Sequence, residues 1–300
     1  MERPQALVLA AGSLGDCILT LPALQVLEKL TQVTVAGTSP YLQLGSLLGP
    51  HLSAVPLEPL LQKLYAGQDL VPSFPSGCRD LFLFFKDQDP RLMAVLKGQT
   101  DIRVHSPSKS FEEFLKEGRW AGDFWLETVL GPGRPIDEKM RDGRFKLPPE
   151  FYERGLQVCR TLGVPAAALK GPFVIHPGSG SRQKNAPLSF FREAAQKISS
   201  ETDKEILVLW GEAEQDWVGE IRQAFQDIPR VTVLREPLPL PDAAAALAVS
   251  CGYMGNDSGI THLASACGAK TFALFNSTDA KVWGPQANFI ILSALKGSLA

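Results

Sequence analysis

The chain has 300 residues, 45% apolar, 21% charged and 8% aromatic, a balance of folded globular domains that excludes disordered, collagen-like and coiled-coil chains. Its 30 basic and 32 acidic residues leave a formal charge of −2, so no global positive field draws in nucleic acid. Cys17, Cys78, Cys159, Cys251 and Cys267 are scattered and form no CxxC pair, which argues against a disulfide framework or a thiolate zinc site and fits a reducing cytoplasm.

Short β-type runs at residues 5–10, 32–36, 80–85 and 101–105, several of them continuously apolar, predict strands in the first half. Runs at 173–176, 205–210, 230–234 and 271–275 predict them in the second. Helical patterns at 17–30, 188–199, 214–225 and 260–267 lie between them, and such alternation implies parallel sheets with right-handed crossovers. Residues 6–11 resemble the apolar core of a short leader, but Arg3 is offset by Glu2 and the run leads straight into Gly12-Ser13-Leu14-Gly15-Asp16. A strand in a soluble, cytoplasmic protein is the expectation. No run is long enough to span a bilayer. The polar, proline-bearing stretch ending at Pro148-Pro149 predicts a boundary between domains 1–150 and 151–300, an α/β pair of Rossmann-like domains facing each other.

Ligands of open α/β sheets bind beyond the carboxyl ends of strands. The first such junction, Ala11-Gly12-Ser13-Leu14-Gly15-Asp16, has Cys17 and Ile18 where a dinucleotide fingerprint needs its third glycine. The second strand leads to Gly37-Thr38 without an acid for a ribose, so redox use of NAD is disfavoured. Asp16 has two readings: the N-cap of the first helix, or a general base that takes a proton from a sugar hydroxyl. The junction His176-Pro177-Gly178-Ser179-Gly180-Ser181, followed by Arg182 and Lys184, reads as a phosphate cradle or as an ordinary loop with solvated cations. Glu212 and Glu214 follow another strand; a carboxylate there can accept two hydrogen bonds from a ribose diol, or stand solvated in a first helical turn. Gly255-Asn256-Asp257-Ser258-Gly259 opens a small-residue helix that either binds a phosphate or is capped by Asp257 or Ser258 over a core His262.

Other chemistry finds less support. Asp87-Gln88-Asp89 has the spacing of an acidic metal motif, but one such triplet is a common accident. The four histidines form no ligand pair, and neither a nucleophile elbow nor a P-loop is present. Phe111, Phe114, Trp120, Phe124 and Trp125 stand among charges in 109–130 and read as core or as an amphipathic surface.

Taken together, the junctions resemble glycosyltransferase family nine, the ADP-heptose:lipopolysaccharide heptosyltransferases. Leu14-Gly15-Asp16 with Leu21-Pro22-Ala23-Leu24 is similar to its N-terminal signature, and His176-Pro177-Gly178 with Lys184 is similar to its phosphate loop. Gly255 to Gly259, His262-Leu263-Ala264, Ala273-Leu274-Phe275 and Thr278-Asp279 resemble its most recognisable stretch. The resemblance implies a GT-B fold and inverting, metal-independent transfer of heptose or a related sugar from an ADP-linked donor to a cell-envelope glycan such as lipopolysaccharide core. It implies Asp16 as base on the acceptor-side loop of Gly12, Ser13 and Gly15. It implies Ser179, Gly180 and Lys184 on the diphosphate, Glu214 on the ribose, and Asp257, Ser258, Gly259 and His262 at the donor's phosphate and sugar end. It further implies no cofactor, no nucleic-acid partner, and passing contact with the inner membrane face when the acceptor is a glycolipid.

The sequence departs from the family pattern at Ala10, where a cation is usual, at Ala186, where an aromatic is usual, at Lys86-Asp87-Gln88-Asp89-Pro90, and in a short tail after Trp283-Gly284-Pro285. Ala10 and Ala186 motivate an alternative, a non-catalytic nucleotide-sugar or glycan-binding protein of the same fold. A third reading, a sugar-nucleotide epimerase, lacks an identifiable acid–base set.

Overall fold

The computed structural model describes residues 3–68, 73–87, 89–97, 101–165 and 171–292. Contacts divide the chain into two compact units, Met1–Lys146 and Leu147–Ala300.

In the first unit β1 (Gln5–Ala10), β2 (Gln32–Gly37), β3 (Leu52–Pro56), β4 (Cys78–Phe84) and β5 (Arg103–His105) form one parallel sheet in the order β3-β2-β1-β4-β5. Ala6 to Ala10 are all buried, as a central strand covered on both faces requires. The edge strand β3 buries only Leu52 fully and therefore carries no apolar run for a sequence reading to find. In the second unit β6 (Phe173–His176), β7 (Ile206–Val208), β8 (Val231–Val233), β9 (Gly252–Asn256), β10 (Thr271–Leu274) and β11 (Phe289–Leu292) form a parallel sheet ordered β11-β10-β9-β6-β7-β8. Each sheet reverses its strand order once, between β1 and β4 and between β6 and β9. Those two switch points are where such sheets open a crevice at their carboxyl ends.

The first helix, Leu14–Glu28, begins three residues before the predicted start, because Ser13 takes the extended N-cap conformation. Pro22 lies inside this helix, where it removes a hydrogen bond at a cost of about 3 kcal/mol. Burial of Leu19, Leu21, Leu24 and Leu27 on the same helix offsets that loss.

The aromatic side chains of residues 109–130 are core rather than a surface patch. Phe111, Phe114, Trp120, Phe124 and Trp125 are all at most 7% exposed, and the Phe111, Phe114 and Trp125 rings each pack against Phe124. The helix Asp123–Leu130 contacts the helix Leu14–Glu28 and carries a buried carboxylate. Asp123, 1% exposed, accepts two bonds of 2.8 Å from the Arg141 guanidinium. Arg119 lies 3.7 Å from the same carboxylate. Asp123→Ala strips both arginines of this partner and is expected to cost about 2–4 kcal/mol, read as a lower urea midpoint.

Among the described residues no helix is long and apolar enough to cross a membrane.

Candidate functional site

Two sites take shape, one at each switch point. In the first unit the chain leaves β1 through Ala11-Gly12-Ser13 and enters the helix. Gly12 has φ +150°, and a Cβ there would fall 2.5 Å from the Asp16 Cβ and 2.8 Å from Oδ2, so glycine is required for the loop to pass so close. The Thr38 hydroxyl, just beyond β2, donates to the Gly12 carbonyl at 2.9 Å and steadies the loop.

Asp16 is not the N-cap but the third helical residue. Its Oδ2 accepts from both the backbone N–H and the hydroxyl of Ser13, each at 2.9 Å, so Asp16 bonds back to the N-cap residue, which is Ser13. Its Oδ1 lies 2.6 Å from the Lys86 ammonium, two residues past the end of β4. Burial is the largest single influence and pushes the carboxyl up. Hydrogen bonds from Lys86 and Ser13 together with the Lys86 charge outweigh it and hold Asp16 below the usual carboxylate range. Its side chain keeps 15% exposure, enough for a small polar group to reach it. Gly12, Ser13, Gly15 and Asp16 are thus gathered into one loop-to-helix junction.

The second unit brings three predicted junctions to the carboxyl edge around β6 and β9. Asn256, fully buried at the end of β9, ties two of them together: its Nδ2 donates to the Pro177 carbonyl at 2.7 Å and its Oδ1 accepts from the Ala186 N–H at 2.9 Å. The loop between these anchors is therefore fixed at both ends. Within it the buried Ser179 hydroxyl has the Ser181 carbonyl at 2.8 Å and the Asn185 side chain at 2.7 Å as acceptors for its one proton, whereas Gly180 is exposed with open space around its α-carbon. The Lys184 ammonium is 41% exposed and stands 3.7 Å from Asp257 Oδ2, which also accepts from the Thr278 hydroxyl at 2.6 Å. Ser258 caps the helix Gly259–Ala266 and accepts from the Thr261 N–H at 3.4 Å, while His262 within it is only 5% exposed. The capping and core alternatives for Ser258 and His262 are accordingly realised in the fold.

Glu214 is neither solvated nor openly displayed. It is 2% exposed, its Oε2 accepts from the Gly211 N–H at 2.7 Å, and the same oxygen lies 3.4 Å from His176 Nε2. Its Oε1 and His176 Nδ1 are buried without a hydrogen-bond partner among the described residues. Gly178 lies directly over this carboxylate, since a Cβ on it would come within 1.9 Å of Oε1. Such buried polar atoms cost about 1–3 kcal/mol each when unpaired, which marks them as places awaiting a donor. Glu212, by contrast, is exposed.

Gln88 of the Asp87-Gln88-Asp89 triplet lies outside the described residues. Asp89 accepts from the Arg91 N–H at 2.8 Å and the Tyr65 hydroxyl at 2.9 Å, a helix-capping arrangement. No three His, Cys, Asp or Glu side chains gather as a metal site among the described residues.

Residue-by-residue reading missed Lys86, His176, Asn256 and Thr278 as parts of these sites. Asn256 and Thr278 stand inside the quoted motif without a role of their own there. Lys86 becomes visible only once β4 is known to neighbour β1, a matter of strand order that no local signal carries.

Comparisons with known proteins agree with this architecture. The family model described as glycosyltransferase family 9 (heptosyltransferase) matches residues 142–296. Among solved structures, a glycosyl transferase family 9 protein from Veillonella parvula superposes with a TM-score of 0.76 at 16% identity, covering 98% of this chain and 86% of its own. The E. coli ADP-heptose lps heptosyltransferase II gives a TM-score of 0.76 at 15% identity over 98% of this chain and 91% of its own. E. coli heptosyltransferase WaaC, solved with ADP, gives 0.66 at 16% identity over 97% and 93%. No curated protein matches in a sequence search. The two parallel sheets and these neighbours identify the fold as GT-B.

Proposed function

The chain belongs to glycosyltransferase family 9, the heptosyltransferases, and from that premise we propose that it is an inverting, metal-independent enzyme moving heptose or a related sugar from an ADP-linked donor to a cell-envelope glycan such as lipopolysaccharide core. One observation carries the donor half of this reading: the glycine-bearing loop at the β6–β9 switch point, pinned by Asn256, with Lys184 standing over Asp257.

In the proposed reaction the donor diphosphate lies against the Ser179-Gly180 amides and Lys184. Glu214 is assigned to the ribose; its Oε1 has no hydrogen-bond partner among the described residues. Asp257, Ser258, Gly259 and His262 border the phosphate and sugar end. In the first unit, Asp16, with the Gly12-Ser13-Gly15 loop around it, takes the proton of the acceptor hydroxyl. The hydroxyl oxygen then attacks the anomeric carbon, and the bond to the diphosphate breaks with its electron pair leaving on the nucleotide. Lys184 and the N-terminus of the helix Gly259–Ala266 stabilise that leaving charge, so the reaction needs neither a metal nor another cofactor. The partners are a nucleotide-sugar and a glycan or glycolipid, not nucleic acid. The protein works in the cytoplasm and touches the inner membrane face only in passing.

A thermal-shift panel of ADP, UDP, GDP and ADP-heptose tests the donor assignment. ADP and ADP-heptose are expected to raise the melting temperature, with the shift largely lost in Lys184→Ala. Equal shifts for all diphosphates in both proteins would refute it.

A further inference from the structure

The two oxygens of Asp16 are not equivalent. Oδ2 already accepts two hydrogen bonds from Ser13, which use both lone pairs of a carboxylate oxygen. Among the described residues Oδ1 takes Lys86 alone, which leaves one lone pair for an incoming hydroxyl. Lys86 is itself held in place. Its carbonyl accepts from the Phe111 N–H at 3.3 Å, and its ammonium sits 5.3 Å from the centroid of the buried Phe111 ring. Phe111 in turn opens a short helix capped by Ser110, whose N–H and hydroxyl both donate to Glu113 at 3.0 Å.

We propose that Lys86 is the positioning residue of the proposed base: it fixes the Asp16 carboxylate so that Oδ1 receives the acceptor's proton. The inference rests on Asp16 being the base. A hydroxyl donating to Oδ1 lies beside the Lys86 ammonium, so negative charge growing on the attacking oxygen is stabilised by the same cation. The proton passes from the hydroxyl to Oδ1, and Lys86 neither gains nor loses one.

The test measures kcat, donor KM and pH profiles for Lys86→Met, Lys86→Arg and Asp16→Asn, following ADP release from ADP-heptose with de-O-acylated lipopolysaccharide core as acceptor. Lys86→Met is expected to lower kcat about 10- to 100-fold with donor KM unchanged. It should also move the acid limb of the profile upward by about one pH unit, because the carboxylate loses its neighbouring cation. Lys86→Arg, which keeps the charge, should return the limb to its wild-type place and recover much of the rate. The Lys86 side chain is 37% exposed, so methionine fits without overpacking, and melting curves verify the fold. Where Lys86→Met nonetheless fails to fold, a displaced acid limb in Lys86→Gln supports the proposal and an unmoved one overturns it. Wild-type kcat and an unmoved limb in a folded Lys86→Met protein, with Asp16→Asn inactive, overturn the role of Lys86 alone. An active Asp16→Asn overturns the assignment of the base.

Discussion

Asp16→Asn is expected to lower kcat by about 10²–10⁴-fold while leaving donor affinity, measured by titration calorimetry, within about threefold of wild type. Asparagine keeps the size of the side chain and can still accept from Ser13, so the helix start survives while proton acceptance is lost. The pH dependence follows from the direction of the Asp16 shift. Burial, the largest influence, raises the carboxyl, but Lys86 and Ser13 outweigh it and hold it below the usual range. The ionised form therefore persists as pH falls through that range, and the rate should stay level there and decline only at lower pH. The same depressed carboxyl adds stability that is fully present at neutral pH and lost as pH falls through its folded-state value. Asparagine removes this contribution, so melting temperatures of mutant and wild type should converge in strong acid.

Gly178→Ala should be comparably damaging at the other switch point. The added Cβ falls 1.9 Å from Glu214 Oε1, and Glu214 cannot retreat without releasing the Gly211 N–H that it accepts at 2.7 Å. Donor affinity is expected to weaken about 10- to 100-fold, and stability to drop by about 1–3 kcal/mol, as for other overpacked sites. Calorimetric titration with ADP-heptose and urea unfolding read the two effects separately. The double variant Gly178→Ala/Glu214→Ala should be more stable than the sum of the single losses implies, because the second change removes the group the first collides with. Strict additivity would place the damage elsewhere than at Glu214.

Much of the fold was legible because both sheets are parallel and buried on both faces, so β1, β6 and β7 are continuous apolar runs. The edge strand β3, LSAVP, carries no such run; β11 is the apolar run Phe289–Leu292, short and only half-buried, and was not among the predicted strands. The segment 205–210 shrank to Ile206–Val208 because Leu209 and Trp210 already belong to the loop, with the Trp210 indole donating to the Leu234 carbonyl at 2.8 Å. The glycine-bearing junctions at Gly12 and Gly178 were legible as places of close approach. What they approach, the carboxylates of Asp16 and Glu214, was not. Asp16 was readable as N-cap or base; the N-cap is Ser13, and Asp16 is the third helical residue, bonded back to Ser13 with its second oxygen facing Lys86. Glu214 could not be read as buried, because its burial depends on Gly178 and His176, contributed by another strand end.

Nuclear magnetic resonance of a reaction containing ADP-heptose, de-O-acylated lipopolysaccharide core and wild-type protein tests the central claim most directly. Free ADP is expected to accumulate one-for-one with a new glycosidic linkage of inverted anomeric configuration, and neither is expected to form with Asp16→Asn. A product that retains the donor's configuration, or ADP-heptose left intact beside a competent acceptor, would contradict it.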